Sequence, residues 1–284
     1  MQSEEKNHLR IGELPDLRLI PIGNLRFHEE HDEVRLKMLS KRLDEDGNLK
    51  NPPIAGRAKG AQDLIILDGA NRVTALDRLG IHHVPVQIVD FDDPHLVIAS
   101  WHHAVERLGR DHFMDEIRSL HGVMIYENRE IDANGRDVRS HLCSLFFREG
   151  GVISVMSPDG LQSQVESLKR ITGSYLRTSR ADRVSYTNPN HLGRNYPDFQ
   201  TLVVFREFSK EQVLQLISNK QKLPAGITRI ILPKRVLGLN TSLELLRSSS
   251  SLEEKNIHLN EIIKEKVAEK SIRFYQESTF VFDE

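Results

Sequence analysis

Apolar residues in this chain fall into short runs and stripes whose spacing alternates between strand and helix. Leu17 to Ile22 reads as a strand closed by the Gly23-Asn24 turn. Leu36, Leu39 and Leu43 then share one helical face, which ends at Asp46-Gly47-Asn48. Asn51-Pro52-Pro53 leads into a strand near Ile54-Ala55, and the Lys59-Gly60 turn precedes Leu64-Ile65-Ile66-Leu67, a run fit for a buried strand. Val73, Leu76 and Leu79 recur near helical spacing, with Gly80 as a stop, and Val84 to Val89 follows as another strand. Alternating strands and helices predict a compact α/β unit over residues 1–93, with Asp90 to Pro94 as its boundary.

Residues 94–284 predict a second α/β domain. Leu96 to Trp101 is a candidate strand and Phe113 to Leu120 a helix. Cys143 to Phe147 and Val152 to Val155 form a hairpin pattern across Gly150-Gly151. Leu161 to Ile171 reads as a helix, and the polar, turn-rich stretch Thr178 to Pro197 as a loop or lid. Leu202 to Phe205 is a strand and Lys210 to Asn219 a helix. After the Ser248 to Ser251 linker, Ser251 and Glu254 form a capping box. It opens a helix through Lys270 with Leu259, Ile262, Ile263 and Val267 as its stripe, and Phe274 to Phe282 is expected to close the fold as a strand.

Acidic and basic residues nearly cancel in the 284-residue chain, giving a formal net charge of −2. That balance argues against a dedicated DNA-binding protein, which carries a basic excess. Cys143 is the single cysteine, so no internal disulfide forms and a reducing cytoplasm is the expected compartment. Met1 to Arg10 is polar, and no apolar run reaches the length of a membrane span. Oligomeric state is not legible.

The richest chemistry lies at Leu67 to Leu76, where a strand turns into a helix. Asp68 ends the strand, Gly69 lets the backbone pass close to a ligand, and the first helical N–H groups of Ala70, Asn71 and Arg72 suit a phosphate. Arg72 can add a bidentate grip, although a structural turn with an Asp68–Arg72 ion pair fits the spacing equally. Glu29, beside His28, Glu30 and His31, has two readings: a general base, or an acid favoured at a helix N-terminus. His28 and His31 lack the further ligands of a metal site. Trp101-His102-His103 reads as a pocket wall or a core aromatic with polar neighbours. Thr228 and Arg229, after Pro224-Ala225-Gly226-Ile227, can clamp a carboxylate or simply lie on a strand edge. Cys143, in an apolar run, reads as a packed thiol.

Asp68-Gly69-x-x-Arg72, with Pro53-Ile54 before it and Val84-Pro85-Val86 after it, resembles the phosphate-binding turn of the ParB/sulfiredoxin superfamily. Within it, the chain is similar to the free serine kinases, which include ATP- and ADP-dependent enzymes and serve, in one branch, siderophore biosynthesis. Phe27-His28-Glu29 resembles the segment with their catalytic glutamate, Ser100-Trp101 their Thr-Trp, and Pro224 to Arg229 their late Pro-x-x-x-Thr-Arg element. The closing helix and strand also resemble one member. The order of the four segments spans most of the chain. One departure stands out: Asn71 occupies the place of the family's histidine. Sulfiredoxin activity needs a cysteine where this chain has Ala70.

The resemblance implies a ParB/sulfiredoxin-like N-terminal domain, a second α/β domain, and an active site in the cleft between them. It implies phosphoryl transfer from ATP or ADP, with Mg²⁺, to free L-serine, giving O-phospho-L-serine. Glu29 then takes the hydroxyl proton, and Asp68 places the metal or the hydroxyl. Pro53, Gly69, Ala70, Asn71 and Arg72 hold the nucleotide phosphates. Ser100, Trp101 and His102 shape the serine pocket, and Thr228 and Arg229 hold the carboxylate. The alternatives are a nucleotide- or DNA-binding regulator without kinase activity, and a kinase for another small hydroxy amino acid.

Overall fold

A computed structural model describes residues 14–128 and 139–275. The first part is built from β1 (Asp16–Pro21), β2 (Leu25–Phe27), α1 (Glu33–Asp46), β3 (Asn48–Leu49), β4 (Ile54–Arg57), β5 (Leu64–Asp68), α2 (Ala70–Arg78) and β6 (His83–Asp90). The second follows as β7 (Val97–Ser100), β8 (His102–Glu106), α3 (Arg110–Arg118), β9 (Met124–Glu127), β10 (His141–Phe147), β11 (Val152–Met156), α4 (Leu161–Leu176) and β12 (Ala181–Val184). It continues with β13 (Phe199–Phe205), α5 (Lys210–Ser218), β14 (Thr228–Ile231), β15 (Thr241–Ser242), α6 (Leu243–Arg247) and α7 (Leu252–Ala268). This is the mixed α/β architecture that the hydrophobic pattern predicts.

Five strands in the order β1-β6-β4-β5-β2 make a mixed sheet, and six in the order β12-β8-β13-β10-β11-β9 make an antiparallel one. The continuous apolar run of β5 has a direct cause: both faces of its sheet are covered. Ala55, Leu64 and Ile66 enter a core with α1, α2 and α7, whereas Ile54, Ile65 and Leu67 enter the core of the second sheet with α3, α4 and α5. Asp68 therefore ends a strand gripped from two sides.

The chain does not stay in the second part. Leu239, Leu243, Leu246 and Leu259 pack into the first core, so the 93/94 sequence boundary does not coincide with a packing boundary. Gln87 steers this return, donating to the Lys234 carbonyl at 2.7 Å and accepting from the Val236 N–H at 2.9 Å. The capping box of α7 forms as expected, with Ser251 and Glu254 bonding reciprocally. Asn256 on α7 then mimics a strand neighbour for the edge of β1, accepting from the Leu19 N–H and donating to its carbonyl.

Two sequence expectations need correction. Thr178 to Pro197 is not wholly loop: β12 lies within it and pairs with β8, Arg183 opposite His103. Its polar composition reflects a sheet edge, where only Val184 of the four residues is buried. The apolar segment ending at Trp101 breaks there, and a second strand, β8, begins at His102. Phe274 and Tyr275 carry no regular structure, and the rest of that expected strand, like Met1 to Arg10, lies outside the described residues. Cys143 is fully buried, and burial pushes its thiol up to about 12, as a packed core cysteine requires.

Candidate functional site

The four sequence-indicated segments are drawn together by backbone pairing. Glu29 forms a parallel bridge with Leu223, the Leu223 N–H donating to the His28 carbonyl and the Glu30 N–H to the Leu223 carbonyl. β14 pairs with β7, placing Thr228 opposite Ser100, and the Trp101 N–H donates to the Ile227 carbonyl. The turn after β5 joins them through side chains: Asn71 Oδ1 accepts from the Asp32 N–H at 2.9 Å. Asn71 thus fastens α2 to the N-terminus of α1, where Asp32 is the cap. A cleft of about 1080 Å³ opens between these segments.

Glu29 is not explained by a helix dipole, because α1 starts at Glu33 and is capped by Asp32. Its carboxylate instead sits in a nest made by the turn before β14. Oε1 accepts from the Ile227 N–H at 3.1 Å, the Thr228 N–H at 2.5 Å and the Thr228 hydroxyl at 2.6 Å; Oε2 accepts from the Gly226 N–H at 3.1 Å. Oε1 is saturated, while Oε2 keeps acceptor capacity. Gly226 has φ +78°, a conformation that side chains rarely adopt, and this lets successive N–H groups converge on one carboxylate. The Gly226 carbonyl is held too, by His103 Nε2 at 3.2 Å, while His103 Nδ1 meets the Tyr175 hydroxyl at 2.6 Å. His28 supports the nest from behind. Its Nδ1 donates to the Ile66 carbonyl at 2.8 Å and its Nε2 lies 2.9 Å from the Thr228 hydroxyl.

Across the cleft, α2 opens at Gly69, whose φ of +94° and missing side chain leave its N-terminus uncapped. A Cβ at Gly69 would lie 2.9 Å from Pro53 Cβ and 3.0 Å from Arg72 Nε. Arg72 is locked in place, donating to the Asn51 and Pro52 carbonyls at 2.9 and 3.0 Å and to Asp68 Oδ2 at 3.0 Å. Sequence reasoning missed Arg235, whose Nη1 also binds Asp68 Oδ2, at 2.5 Å. No periodicity marks it, because it lies in the irregular strand-free crossing that Gln87 anchors. Burial favours the neutral Asp68 carboxyl, but the fields and hydrogen bonds of Arg72 and Arg235 outweigh it and hold the group below the usual carboxylate range. Uncapped helical N–H groups flanked by two oriented guanidiniums are suited to an anion.

Several expected residues lie elsewhere. Trp101 lines the cleft, but Arg229 does not: its guanidinium stacks over the Trp101 ring, 4.8 Å from the centroid. Thr228 lines the cleft with both its N–H and its hydroxyl committed to Glu29. Ser100 is buried and donates to the Arg206 carbonyl at 2.7 Å. His102 is buried, with Nδ1 accepting from the Phe205 N–H at 3.2 Å, and burial with Arg229 nearby lowers its pKa to about 4. Pro53 backs Gly69, and Pro52 lines the cleft in its place. A separate cavity of about 900 Å³ beside Arg206 holds none of the sequence-indicated site residues. Among the described residues, no helix is long and apolar enough to cross a membrane, and no three His, Cys, Asp or Glu side chains cluster as metal ligands. His31 pairs with Glu33 at 2.7 Å.

Fold and cleft together define the class: a two-sheet α/β protein with the fold of the free serine kinases, its cleft lined by an uncapped helix N-terminus and a nested glutamate. A free serine kinase solved with AMP superposes with a TM-score of 0.68 at 17% identity, covering 82% of this chain and 94% of that one. The particular proteins it is similar to carry the same activity in their names. The ATP-dependent L-serine kinase SbnI of Staphylococcus aureus is 21% identical over 277 residues, 94% of this chain and 97% of the relative. Its C-terminally truncated structure superposes with a TM-score of 0.68 at 18% identity, over 88% of this chain and 96% of that one. The ATP-dependent L-serine kinase of Staphylothermus marinus is 22% identical over 235 residues, 81% of this chain and 90% of the relative. No protein-family model matches the chain.

Proposed function

We propose that this protein is a free L-serine kinase that moves a nucleotide phosphoryl group to the serine hydroxyl, giving O-phospho-L-serine. The observation that carries the reading is the pairing, in one cleft, of the uncapped α2 N-terminus with the nested Glu29 carboxylate. Its support is the fold shared with free serine kinases and the likeness over most of the chain to relatives named for that activity.

Phosphoryl transfer asks for positioning and charge neutralisation more than for covalent chemistry from the protein. The N–H groups of Ala70, Asn71 and Arg72, with Arg72 and Arg235, receive the nucleotide phosphates. Glu29 Oε2, which accepts only from Gly226 in the resting cleft, takes the hydroxyl proton as the oxygen attacks. Trp101 walls the acceptor site, and the cleft between residues 1–93 and the second part excludes water. Mg²⁺ fits the donor set: this ion is held by one or two carboxylates plus substrate phosphates, and both arginines bind Oδ2 of Asp68, leaving Oδ1 for the ion. When bound it neutralises phosphate charge. Asn71 gives no proton at neutral pH, so its contribution is the tie to Asp32.

The nucleotide side of the reaction supplies the test. ATP or ADP is incubated with the protein and Mg²⁺, with and without L-serine, and nucleotides are separated by ion-exchange chromatography. The reading expects serine-dependent conversion of ATP to ADP, or of ADP to AMP. Conversion independent of serine, or none from folded protein, contradicts it.

A further inference from the structure

The two arginines beside the α2 N-terminus, Arg72 and Arg235, both have carboxylate company in Asp68. Arg183 does not. It stands on β12 and lines the cleft beside Gly226, and its side chain makes no hydrogen bond or ion pair with a described residue. Its guanidinium fills the space a side chain would take at position 226: a Cβ there would fall 1.9 Å from Arg183 Nη2 and 2.2 Å from Cζ. The β12–β8 pairing fixes its backbone, Arg183 opposite His103, and His103 in turn holds the Gly226 carbonyl. A half-buried guanidinium is therefore packed against the same glycine whose N–H donates to Glu29 Oε2.

We propose that Arg183, and not the expected Arg229, is the residue that binds the α-carboxylate of the acceptor. This rests on the kinase reading above and deepens it. In serine only two carbons separate the hydroxyl oxygen from the carboxylate, so the cation that binds the carboxylate must stand beside the base that meets the hydroxyl. Arg183 and Glu29 share Gly226 as a neighbour, which meets that condition. Arg229, the expected clamp, stacks on Trp101 outside the cleft lining, and the Thr228 hydroxyl is spent on Glu29. The phosphate end already has two arginines, so a third is not needed there. Burial, then the nearby Arg35, hold the Arg183 pKa below its usual value, against the fields of Glu29, Asp32 and Asp68.

The experiment compares L-serine with L-serinamide, which keeps the hydroxyl and amine but loses the carboxylate charge, on the full chain and on Arg183→Met. A charge-assisted pair lost from a cleft costs about tenfold to a hundredfold in affinity. The full chain is expected to prefer serine over serinamide by that factor, in kcat/KM and in calorimetric binding. Arg183→Met is expected to raise the KM for serine by that factor, leave nucleotide KM unchanged, and erase the preference. Equal use of the two acceptors by the unsubstituted chain overturns the proposal whether or not the variant folds. So does a variant that keeps the preference, or one whose defect appears in nucleotide KM. If the unsubstituted chain turns over neither acceptor, the kinase reading fails separately. Calorimetric binding of serine, weakened in Arg183→Met or not, then still decides the role of Arg183.

Discussion

Glu29→Gln keeps the shape of the side chain and removes its charge, and its consequences can be worked from the nest. An amide oxygen in the place of Oε1 can still accept from Ile227, Thr228 N–H and the Thr228 hydroxyl. The amide nitrogen then faces the Gly226 N–H, two donors in contact, where Oε2 accepted at 3.1 Å. Leaving that buried N–H without a partner costs about 1–3 kcal/mol of stability, which lowers Tm by a few degrees, roughly 2–4 °C per kcal/mol in a chain near this size. Nucleotide binding, proposed across the cleft at Gly69 to Arg72, is expected to be untouched. Turnover loses the proton acceptor and is expected to fall by roughly 10²–10⁴. Calorimetry with nucleotide, thermal melting and steady-state turnover on the same sample separate the three effects. Turnover within about twofold of the parent, from protein that binds nucleotide normally, would remove Glu29 as the base. A collapse of nucleotide affinity would refute the separation of the two cleft walls.

Further outcomes follow from other parts of the molecule. His102, His103 and His141 are held neutral by burial, with pKa values lowered to about 4, about 3 and about 4. Lowered folded-state values mean that the unfolded chain binds more protons between pH 6.5 and 4, so stability falls on acidification through that window. Close to three protons at pH 5 gives a slope of about 4 kcal/mol per pH unit, and urea titrations showing a flat profile there would contradict it. Gly69→Ala forces a side chain into φ +94° against Pro53 and Arg72, and is expected to cost about 2 kcal/mol and to weaken nucleotide binding; unchanged affinity by calorimetry counts against the α2 phosphate site. Ser251→Ala removes one half of the α7 capping box and should cost about 1 kcal/mol in chemical denaturation, with activity retained.

Much of the fold was legible because burial is periodic. The Leu36-Leu39-Leu43 stripe gave α1, and the unbroken Leu64 to Leu67 run marked a strand covered on both faces. The polar edge strand β12 carried no such signal, since an edge strand at the rim of a sheet need bury only one residue in four. The site shows the same contrast. Glu29, Asp68, Gly69 and Arg72, on which local sequence, turn chemistry and resemblance converge, all line the cleft. Arg183 and Arg235 come from an edge strand and an irregular crossing, and only long-range packing brings them to the cleft. Ser100, His102 and Arg229 lie outside the cleft lining for a different reason. Neighbouring strand residues alternate faces, so standing beside Trp101 or Thr228 in sequence points a side chain away from what its neighbour meets.

The central claim concerns a product, and phosphorus NMR observes it directly. Protein, Mg²⁺ and L-serine are mixed with ATP in one sample and with ADP in another, and the spectrum is followed for the phosphomonoester of O-phospho-L-serine. This signal is expected to grow with at least one nucleotide and to be lost in Glu29→Gln. Folded, nucleotide-binding protein that yields only inorganic phosphate, or no new signal with either nucleotide, would contradict it.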